Sequence, residues 1–168
     1  MADIRPAAPA ELPRVLALYH AIIEDMAEDP YFPCWERDVH PTDRALAEAV
    51  RRGELFLLFT GGEIAGAMVL DQDQGEMARA CPPDFAPSGI AVVHLLCVHP
   101  RFSRRGYARA LVAHAISRAR SEGRKAVRLD VLEGNLPAER LYLSAGFRHV
   151  GAYTASFEMR FGVYEYAL

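Results

Sequence analysis

An apolar run, a basic turn with a glycine and an amphipathic segment follow one another directly, and this succession limits the possible folds more than any other feature. Residues 90–98 are apolar apart from His94. Three arginines and Gly106 come next, and apolar side chains then recur every three or four residues over 108–119. The first pattern predicts a buried strand and the last a helix with one face on the core. A strand joined to a helix by a short turn indicates a layered α/β fold.

The turn between this strand and this helix has the properties of an anion-binding site. The first backbone N–H groups of a helix have no partner within the helix and lie at the positive end of its dipole. Gly106 lets a ligand approach the backbone closely, and four arginines surround it: Arg101, Arg104, Arg105 and Arg109. Neither the GxGxxG nor the GxxxxGK[ST] pattern occurs here, so the turn by itself predicts a phosphate site without specifying the ligand.

The charge distribution favours a small phosphorylated ligand over nucleic acid. The chain has a net charge of −3, yet residues 101–128 contain nine arginine and lysine side chains and one glutamate. The remainder is therefore acidic and would repel a long phosphate backbone. For Arg118, Arg120 and Arg124 the alternative is a solvated helix face. We predict no nucleic-acid partner.

Composition indicates one cytoplasmic domain over residues 1–168. The chain is 51% hydrophobic, and no apolar run approaches the length of a membrane span. The first residues lack the apolar core of a secretory signal, and the preference for arginine over lysine suggests a bacterial source. Cys34, Cys81 and Cys97 show no CxxC spacing, so we expect neither a disulfide framework nor a metal site.

Periodicity and turn residues predict seven strands and four helices. The strands are expected at 3–7, 54–60, 64–71, 90–98, 126–132, 147–154 and 160–168, and the helices at 12–29, 42–53, 108–123 and 135–145. Thr42 is a candidate helix cap, and Gly61-Gly62 predicts a hairpin. Residues 72–89 are polar and contain proline, and we expect a loop there.

Several of these features, taken in order, resemble the GNAT superfamily of N-acetyltransferases. The resemblance is carried by residues 98–108, followed by Asp130-Val131, Asn135, Ala138, Leu141-Tyr142 and Gly146-Phe147. The family motif [Gln/Arg]-x-x-Gly-x-[Gly/Ala] falls on residues 103–108, with Ser103 where the family usually has Gln or Arg. The resemblance is specific over about 90–151 and only architectural before it.

The resemblance implies a single α/β domain with a mixed, mostly antiparallel seven-stranded sheet flanked by about four helices. We expect two central strands to separate after Val98 and admit acetyl-CoA. The residues implied for the co-substrate are Leu96, Cys97, Val98, Ser103, Arg104, Arg105, Gly106, Tyr107, Ala108, Arg109, Asn135 and Ala138. Because the contacts in this family are largely through backbone amides, we expect binding to tolerate Ser103, with Arg101 or Arg104 compensating. Cys97 itself is expected in the core, since no base partner for a catalytic thiol is evident.

Two side chains are candidates for the chemistry. In the family the residue at Tyr142 protonates the departing thiolate, and a tyrosine with a pKa of about 10 carries its proton at working pH. Its alternative is a half-buried structural aromatic. His94 lies four residues before Val98, where family members often have Glu, and is a candidate base acting directly or through water. The alternative for His94 is a core histidine with a satisfied hydrogen bond.

The acceptor is expected to be a primary amine of a small molecule. Tyr31, Trp35 and His40, with the late aromatics Tyr153 and Tyr164, are the candidate pocket, and packing of helices on the sheet is the alternative. We expect direct attack on acetyl-CoA in a ternary complex, without an acyl-enzyme or a metal. The alternatives are acetylation of protein N-termini or lysines, and a non-catalytic acyl-CoA-binding module. A homodimer is left open.

Overall fold

The computed structural model describes residues 2–29, 35–81, 88–155 and 158–168. The strands are β1 (Asp3–Pro6), β2 (Leu55–Thr60), β3 (Glu63–Asp71), β4 (Ile90–Val98), β5 (Ala126–Leu132), β6 (Arg148–Thr154) and β7 (Arg160–Ala167). The α-helices are α1 (Leu12–Met26), α2 (Asp43–Arg51), α3 (Met77–Ala80), α4 (Tyr107–Ser121) and α5 (Leu136–Ser144). The strands form one sheet in the order β1-β2-β3-β4-β5-β7-β6. The predicted α/β class with a mixed seven-stranded sheet is confirmed.

The chain divides into two compact units. The first unit comprises residues 1–70 and 95–111, and the second comprises residues 71–94 and 112–168. Strand β4 and helix α4 each contribute residues to both units. The expectation of a single domain over 1–168 stays a prediction.

The apolar faces of α1 and α2 form the core of the first unit with β2 and β3. Strands β1 and β2 pair antiparallel, as do β2 and β3. The core contains Val15, Leu18, Tyr19, Ile22, Ile23, Leu46, Ala49, Val50, Leu55, Leu57, Ala67 and Val69. Alternate strand residues belong to it because successive side chains of a strand point to opposite faces. Each fully buried aliphatic side chain stabilises the unit by about 1.5–3 kcal/mol.

Local signals in the first unit have the predicted effects. The Thr42 hydroxyl oxygen accepts the N–H of Ala45 at 3.1 Å and caps α2. Gly61 and Gly62 have φ of +57° and +82° in the two-residue turn between β2 and β3, a conformation that favours glycine. In β3, a Cβ on Gly66 would lie 2.6 Å from the Cys97 carbonyl oxygen, so only glycine permits this approach of the two backbones.

The second unit is built on an antiparallel β5-β7-β6 arrangement. Strand β7 pairs with both β5 and β6. Its core includes Met77, Ile90, Val92, Ala126 and Val163. Arg128 and Glu165, which face each other in the β5–β7 register, form a buried ion pair in which Arg128 Nε donates to Glu165 Oε2 at 2.9 Å.

The parallel pairing of β4 with β5 ends earlier than the sequence predicted. The ladder joins residues 90–92 to residues 126–128, and both strands continue beyond the last pair. The expected separation after Val98 is therefore wrong in position. Within the second unit, pairing already stops at Val92, two residues before His94.

Two further element predictions need correction. Helix α1 ends at Met26 rather than near residue 29. Acidic side chains follow Met26, and negative charge is unfavourable near the negative, C-terminal end of a helix dipole. Pro30 also disfavours helical conformation in the residue that precedes it. The region predicted as a loop over 72–89 contains the short helix α3, anchored by the buried side chain of Met77. Among the described residues, no helix is long and apolar enough to cross a bilayer.

Candidate functional site

The turn before α4 has left-handed backbone at two positions. Arg104 has φ of +61° and Gly106 has φ of +80°. The Gly106 carbonyl accepts the N–H of Ala110 at 3.0 Å, so the hydrogen bonding of α4 begins at Gly106. The first N–H groups of this 15-residue helix therefore lie at the turn without carbonyl partners inside the helix. A Cβ on Gly106 would meet no described atom within 4 Å, so the space beside this glycine is open.

Aromatic packing supports the turn. Residues Pro100–Phe102 form a 3₁₀ turn, and His99 Nδ1 accepts the N–H of Arg101 at 3.3 Å. The buried ring of Phe102 lies under the Arg101 guanidinium, 4.6 Å from the ring centroid. The Tyr107 hydroxyl donates to Thr60 Oγ1 at 3.0 Å and ties the first turn of α4 to the end of β2. The conformation of the turn is thus set before any ligand binds.

The four arginines around the turn differ in their partners and their exposure. Arg101 forms an ion pair with Glu63, and hydrogen bonding to Arg101 lowers the pKa of that carboxyl group. Arg104, Arg105 and Arg109 are exposed. Of the two arginines expected to compensate for Ser103, Arg101 is therefore held by a carboxylate, whereas Arg104 lies at the turn.

The end of β4 carries an irregularity fixed by α1. Leu95 has φ of +51°, and its carbonyl accepts the hydroxyl of the buried Tyr19 at 2.9 Å. Beyond it, Cys97 is buried, which confirms its core position, while Leu96 and Val98 are half-buried. Burial raises the pKa of the Cys97 thiol to about 12, outweighing the opposing effect of the Tyr19 hydroxyl. A protonated thiol is a poor nucleophile.

His94 lies among carboxylates in the second unit. Its Nε2 is 3.2 Å from Asp71 Oδ1 and 2.9 Å from the Asp73 carbonyl oxygen. Burial lowers the pKa of His94, but the hydrogen bond to Asp71 and the charge of Asp130 raise it, and the net shift is upward from 6.5. His94 therefore has polar partners, as its structural alternative requires, and a pKa suited to acid–base chemistry near neutrality.

Asp130 acts on His94 and on Tyr142 through its charge, and it accepts a hydrogen bond from Tyr153. The Tyr153 hydroxyl donates to Asp130 Oδ2 at 2.5 Å. The ring of Tyr142 is buried and packs edge-on against Phe147, with centroids 5.7 Å apart. Burial, followed by the charge of Asp130, raises the pKa of Tyr142 well above the ordinary value assumed from sequence. Tyr142 consequently keeps its proton throughout the working range and is a weaker acid than a free tyrosine.

Asn135 and Ala138 meet at the start of α5. Asn135 Oδ1 accepts the N–H of Ala138 at 3.2 Å, so Asn135 is the helix cap, and Glu139 Oε1 accepts the N–H of Gly134 at 3.2 Å. This capping accounts for an asparagine at 135 without any ligand. A contact of these two residues with the co-substrate stays a prediction.

The candidate acceptor residues belong to both units. Trp35 packs against Tyr19, with ring centroids 5.7 Å apart, beside the core of the first unit. His40 is exposed and forms a backbone bridge with Glu36. Tyr31 lies outside the described residues. In the second unit, Tyr164 packs edge-on against His149 at 5.2 Å. An acceptor role for any of them stays a prediction.

The predicted site residues thus divide between the two units. The first contains residues 96–98 and 103–109, and the second contains His94, Asn135, Ala138 and Tyr142. The fold brings Asp71 from β3 and Asp130 from β5 to His94. Sequence analysis gave no role to Asp71 and offered Asp130 only as part of the family resemblance. No spacing pattern relates either residue to His94, because they are 23 and 36 positions away on other strands. In the described parts of the chain, no group of three or more His, Cys, Asp or Glu side chains could hold a metal ion.

Comparison with known proteins agrees with the geometry of the turn and helix. The model of a family described as the acetyltransferase (GNAT) family matches residues 20–147. A curated Arabidopsis thaliana protein, GCN5-related N-acetyltransferase 4, chloroplastic, is 33% identical over 89 residues, or 53% of this chain. The match spans only 31% of that relative's length.

Solved structures share the fold over nearly the whole chain. A GNAT-family acetyltransferase from Listeria monocytogenes 4b F2365 superposes with a TM-score of 0.80 at 22% identity, covering 99% of this chain and 95% of the other. A ribosomal-protein-alanine N-acetyltransferase from Brucella melitensis has a TM-score of 0.72 at 20% identity, covering 99% of both chains. At these identities the likeness shows the fold alone.

Proposed function

Because this chain belongs to the acetyltransferase (GNAT) family, we propose that it transfers the acetyl group of acetyl-CoA to a primary amine of a small molecule. The observation that carries the proposal is the turn at residues 103–108. It combines left-handed backbone at Arg104 and Gly106, the N-terminus of a long helix, and exposed arginines. These are the features that a pyrophosphate requires of a protein.

The residues of the first unit suit acetyl-CoA. The N–H groups at the start of α4, with Arg104 and Arg105, would hold the pyrophosphate. The backbone of residues 96–98 would pair with the pantetheine arm as an added strand does, which leaves side-chain identity there nearly free. When bound, acetyl-CoA supplies an activated thioester. Family resemblance adds contacts from Asn135 and Ala138.

Direct transfer is supported over an acyl-enzyme. A covalent route through a described cysteine would need a thiolate, and burial raises the pKa of Cys97 to about 12 and also raises the pKa of Cys81. In direct transfer, the amine nitrogen forms a bond to the thioester carbon while the carbon–sulfur bond breaks. His94 takes the proton that the amine loses, and Tyr142, protonated at rest, donates to the sulfur as negative charge develops there.

The proposal is tested by the release of free CoA thiol with a panel of acceptors. The panel contains aromatic amines, polyamines, aminated sugars and peptides with free N-termini. We expect turnover of at least one small amine at rates well above hydrolysis of acetyl-CoA. Turnover confined to peptides would favour acetylation of protein N-termini. CoA binding without turnover of any acceptor would favour the non-catalytic module.

A binding measurement tests the phosphate site separately. The turn should make CoA bind more tightly than a pantetheine that lacks the nucleotide and its phosphates, because the helix N-terminus and arginines act on negative charge. Calorimetry with both ligands measures the difference. Equal affinities would contradict the assignment of the turn.

The cytoplasmic location, the bacterial source and the homodimer stay predictions.

A further inference from the structure

The surroundings of His94 determine which of its nitrogens carries the proton. Two oxygens, the carbonyl of Asp73 at 2.9 Å and the carboxylate of Asp71 at 3.2 Å, lie against the same ring atom, Nε2. A carbonyl oxygen can only accept a hydrogen bond, so Nε2 must donate. Neutral His94 therefore has its hydrogen on Nε2 and its lone pair on Nδ1.

A small folded turn holds these two acceptors in place. The Asp71 carboxylate accepts the N–H of Asp73 at 2.9 Å, and the Asp73 carboxylate accepts the N–H of Gly75 at 3.0 Å. Gly75 has φ of +46°, a conformation that favours glycine. The Asp71 side chain, which is 19% exposed, thus contacts both the imidazole and the backbone that presents the second acceptor. Its removal would disturb both partners of Nε2.

We propose that Asp71 is a positioning residue, which with the Asp73 carbonyl holds His94 as the Nε2–H tautomer and makes Nδ1 the atom that accepts the proton of the acceptor amine. This inference rests on the proposed function, in which His94 is the base. In the step, an amine N–H bond breaks and the Nδ1–H bond forms. The electron pair of the broken bond stays on the amine nitrogen, which bonds to the thioester carbon. The positive charge on the imidazole is offset by Asp71.

The charged groups facing His94 set the direction of its pH dependence. Asp71 at the end of β3 and Asp130 on β5 act on it as carboxylates, and Asp73 acts through its backbone carbonyl. Their effect exceeds that of burial and raises the pKa of His94 above 6.5. A base must be neutral to accept a proton, so activity should rise with pH through a limb above this value. Removing the Asp71 charge should move the limb to lower pH.

Nuclear magnetic resonance tests the tautomer without any substrate. Long-range correlations between ring protons and both ring nitrogens distinguish Nε2–H from Nδ1–H imidazole. The chain has six histidines, and loss of one pattern in His94→Gln assigns His94. We expect the Nε2–H tautomer in the unaltered protein at high pH. An Nδ1–H tautomer overturns the proposal.

Kinetics of Asp71→Asn test the positioning role. The acid limb of kcat/KM should move down by about one pH unit, the effect of losing one adjacent opposite charge. The plateau should fall several-fold while the KM for acetyl-CoA is unchanged. Asp43→Asn is the matched control, because Asp43 pairs with His20 Nε2 at 2.7 Å outside the site. That variant should retain the limb of the unaltered protein.

The two measurements separate failure of this inference from failure of the proposed function. If Asp71→Asn lowers the pKa of His94 by resonance titration while the kinetic limb stays, His94 is not the base and the inference is overturned, although acetyl transfer stands. If no acceptor is turned over, the proposed function fails and the positioning role with it. A limb that moves in Asp71→Asn and not in Asp43→Asn, with the Nε2–H tautomer, supports the proposal.

Discussion

Burial and backbone conformation decide what single residues of this chain can do. Burial raises the pKa of the Cys97 thiol and that of the Tyr142 hydroxyl, so both groups keep their protons. Arg104 adopts a left-handed conformation that costs a non-glycine residue about 1–2 kcal/mol. Such a cost is typical of functional sites, where the surrounding structure sustains it. The contact of Arg105 with the Phe102 ring and the hydrogen bond from Tyr107 to Thr60 flank the turn.

Replacing Tyr142 with phenylalanine should separate catalysis from binding. The ring and its packing on Phe147 remain, so CoA affinity should be unchanged. Loss of the proton donor should lower kcat by about 10²- to 10⁴-fold, far more than an ordinary hydrogen bond of about 1 kcal/mol contributes. Steady-state kinetics at saturating substrate measure the effect. Tyr166→Phe is the control, because the Tyr166 ring packs on the same Phe147 ring with centroids 5.6 Å apart. A kcat of Tyr142→Phe within a few-fold of that of the control would contradict the role of Tyr142 as proton donor.

Replacing Gly106 with alanine should weaken CoA binding without unfolding the protein. The new Cβ meets no described atom, but it occupies the space beside the helix N-terminus. The positive φ costs about 1 kcal/mol of stability, and CoA affinity should fall roughly tenfold or more because the phosphate can no longer approach the N–H groups.

Gly123→Ala controls for backbone strain in that experiment. Gly123 follows the other end of α4 and has φ of +69°, and a Cβ added there would likewise meet no described atom within 4 Å. The variant should lose similar stability in thermal unfolding and keep full affinity in calorimetry. Equal loss of CoA affinity in both variants would assign the effect to strain and not to the ligand.

At the scale of elements, α3 illustrates how tertiary packing creates structure in a polar segment. The helix has four residues and is too short to be stable by itself. It is held because Met77 is buried and because its end lies against β6. The contact is so close that a Cβ on Gly151 would be 1.9 Å from the Ala80 carbonyl oxygen. Glycine at 151 is therefore a condition for α3 to pack there.

Gly151→Ala should displace α3 from β6. We expect a loss of about 1–3 kcal/mol in the free energy of unfolding, the usual effect of overpacking, measured by urea denaturation. Gly162→Ala on β7 is the control, since its Cβ would meet only side-chain atoms, at 3.2 Å, that can shift. Its loss should be clearly smaller, and equal losses would contradict the requirement at 151.

At the scale of the whole molecule, paired carboxylates couple stability to acidity. Hydrogen bonds from Arg5 and from the N–H of Ala8 lower the pKa of Glu11 to about 2. Hydrogen bonds from Arg51 and Arg52 lower the pKa of Glu48 to about 2. Unfolding returns both groups to about 4.5. Because the folded pKa is the lower one, this stabilisation is present above pH 4.5 and is lost as the pH falls towards 2.

The free energy of unfolding should therefore decline steadily below about pH 4.5. Glu11→Gln removes one contributing group, so the decline should become shallower. The free energy of unfolding near neutral pH should fall, and the difference between its neutral and acid values should become smaller. Urea denaturation near neutral pH and at about pH 3 measures both. Glu28→Gln, at an exposed position after α1, is the comparison variant. An unchanged slope in Glu11→Gln would contradict the role of the Arg5 pair.

Local features of the sequence determined most elements and the turn before α4. The bounds of β4 and β5 agree with the prediction residue for residue, and Thr42 and Gly61-Gly62 act as expected. These features depend on the period of burial, on caps and on the conformational freedom of glycine, all of which operate over a few residues. For the same reason, the order of residues from β4 through α4 and α5 was enough to identify the family.

Only the tertiary structure decided which groups act on the candidate catalytic residues. Asp71 and Asp130 reach His94 from other strands. Arg101 forms an ion pair with Glu63. The Tyr19 hydroxyl donates to the Leu95 carbonyl. The end of the β4–β5 ladder at Val92 and the short helix α3 were also decided by packing. Partners of this kind are distant in sequence and carry no local pattern. Their positions follow from strand order, from register and from the packing of turns and helices. The tautomer proposed for His94 depends on these positions.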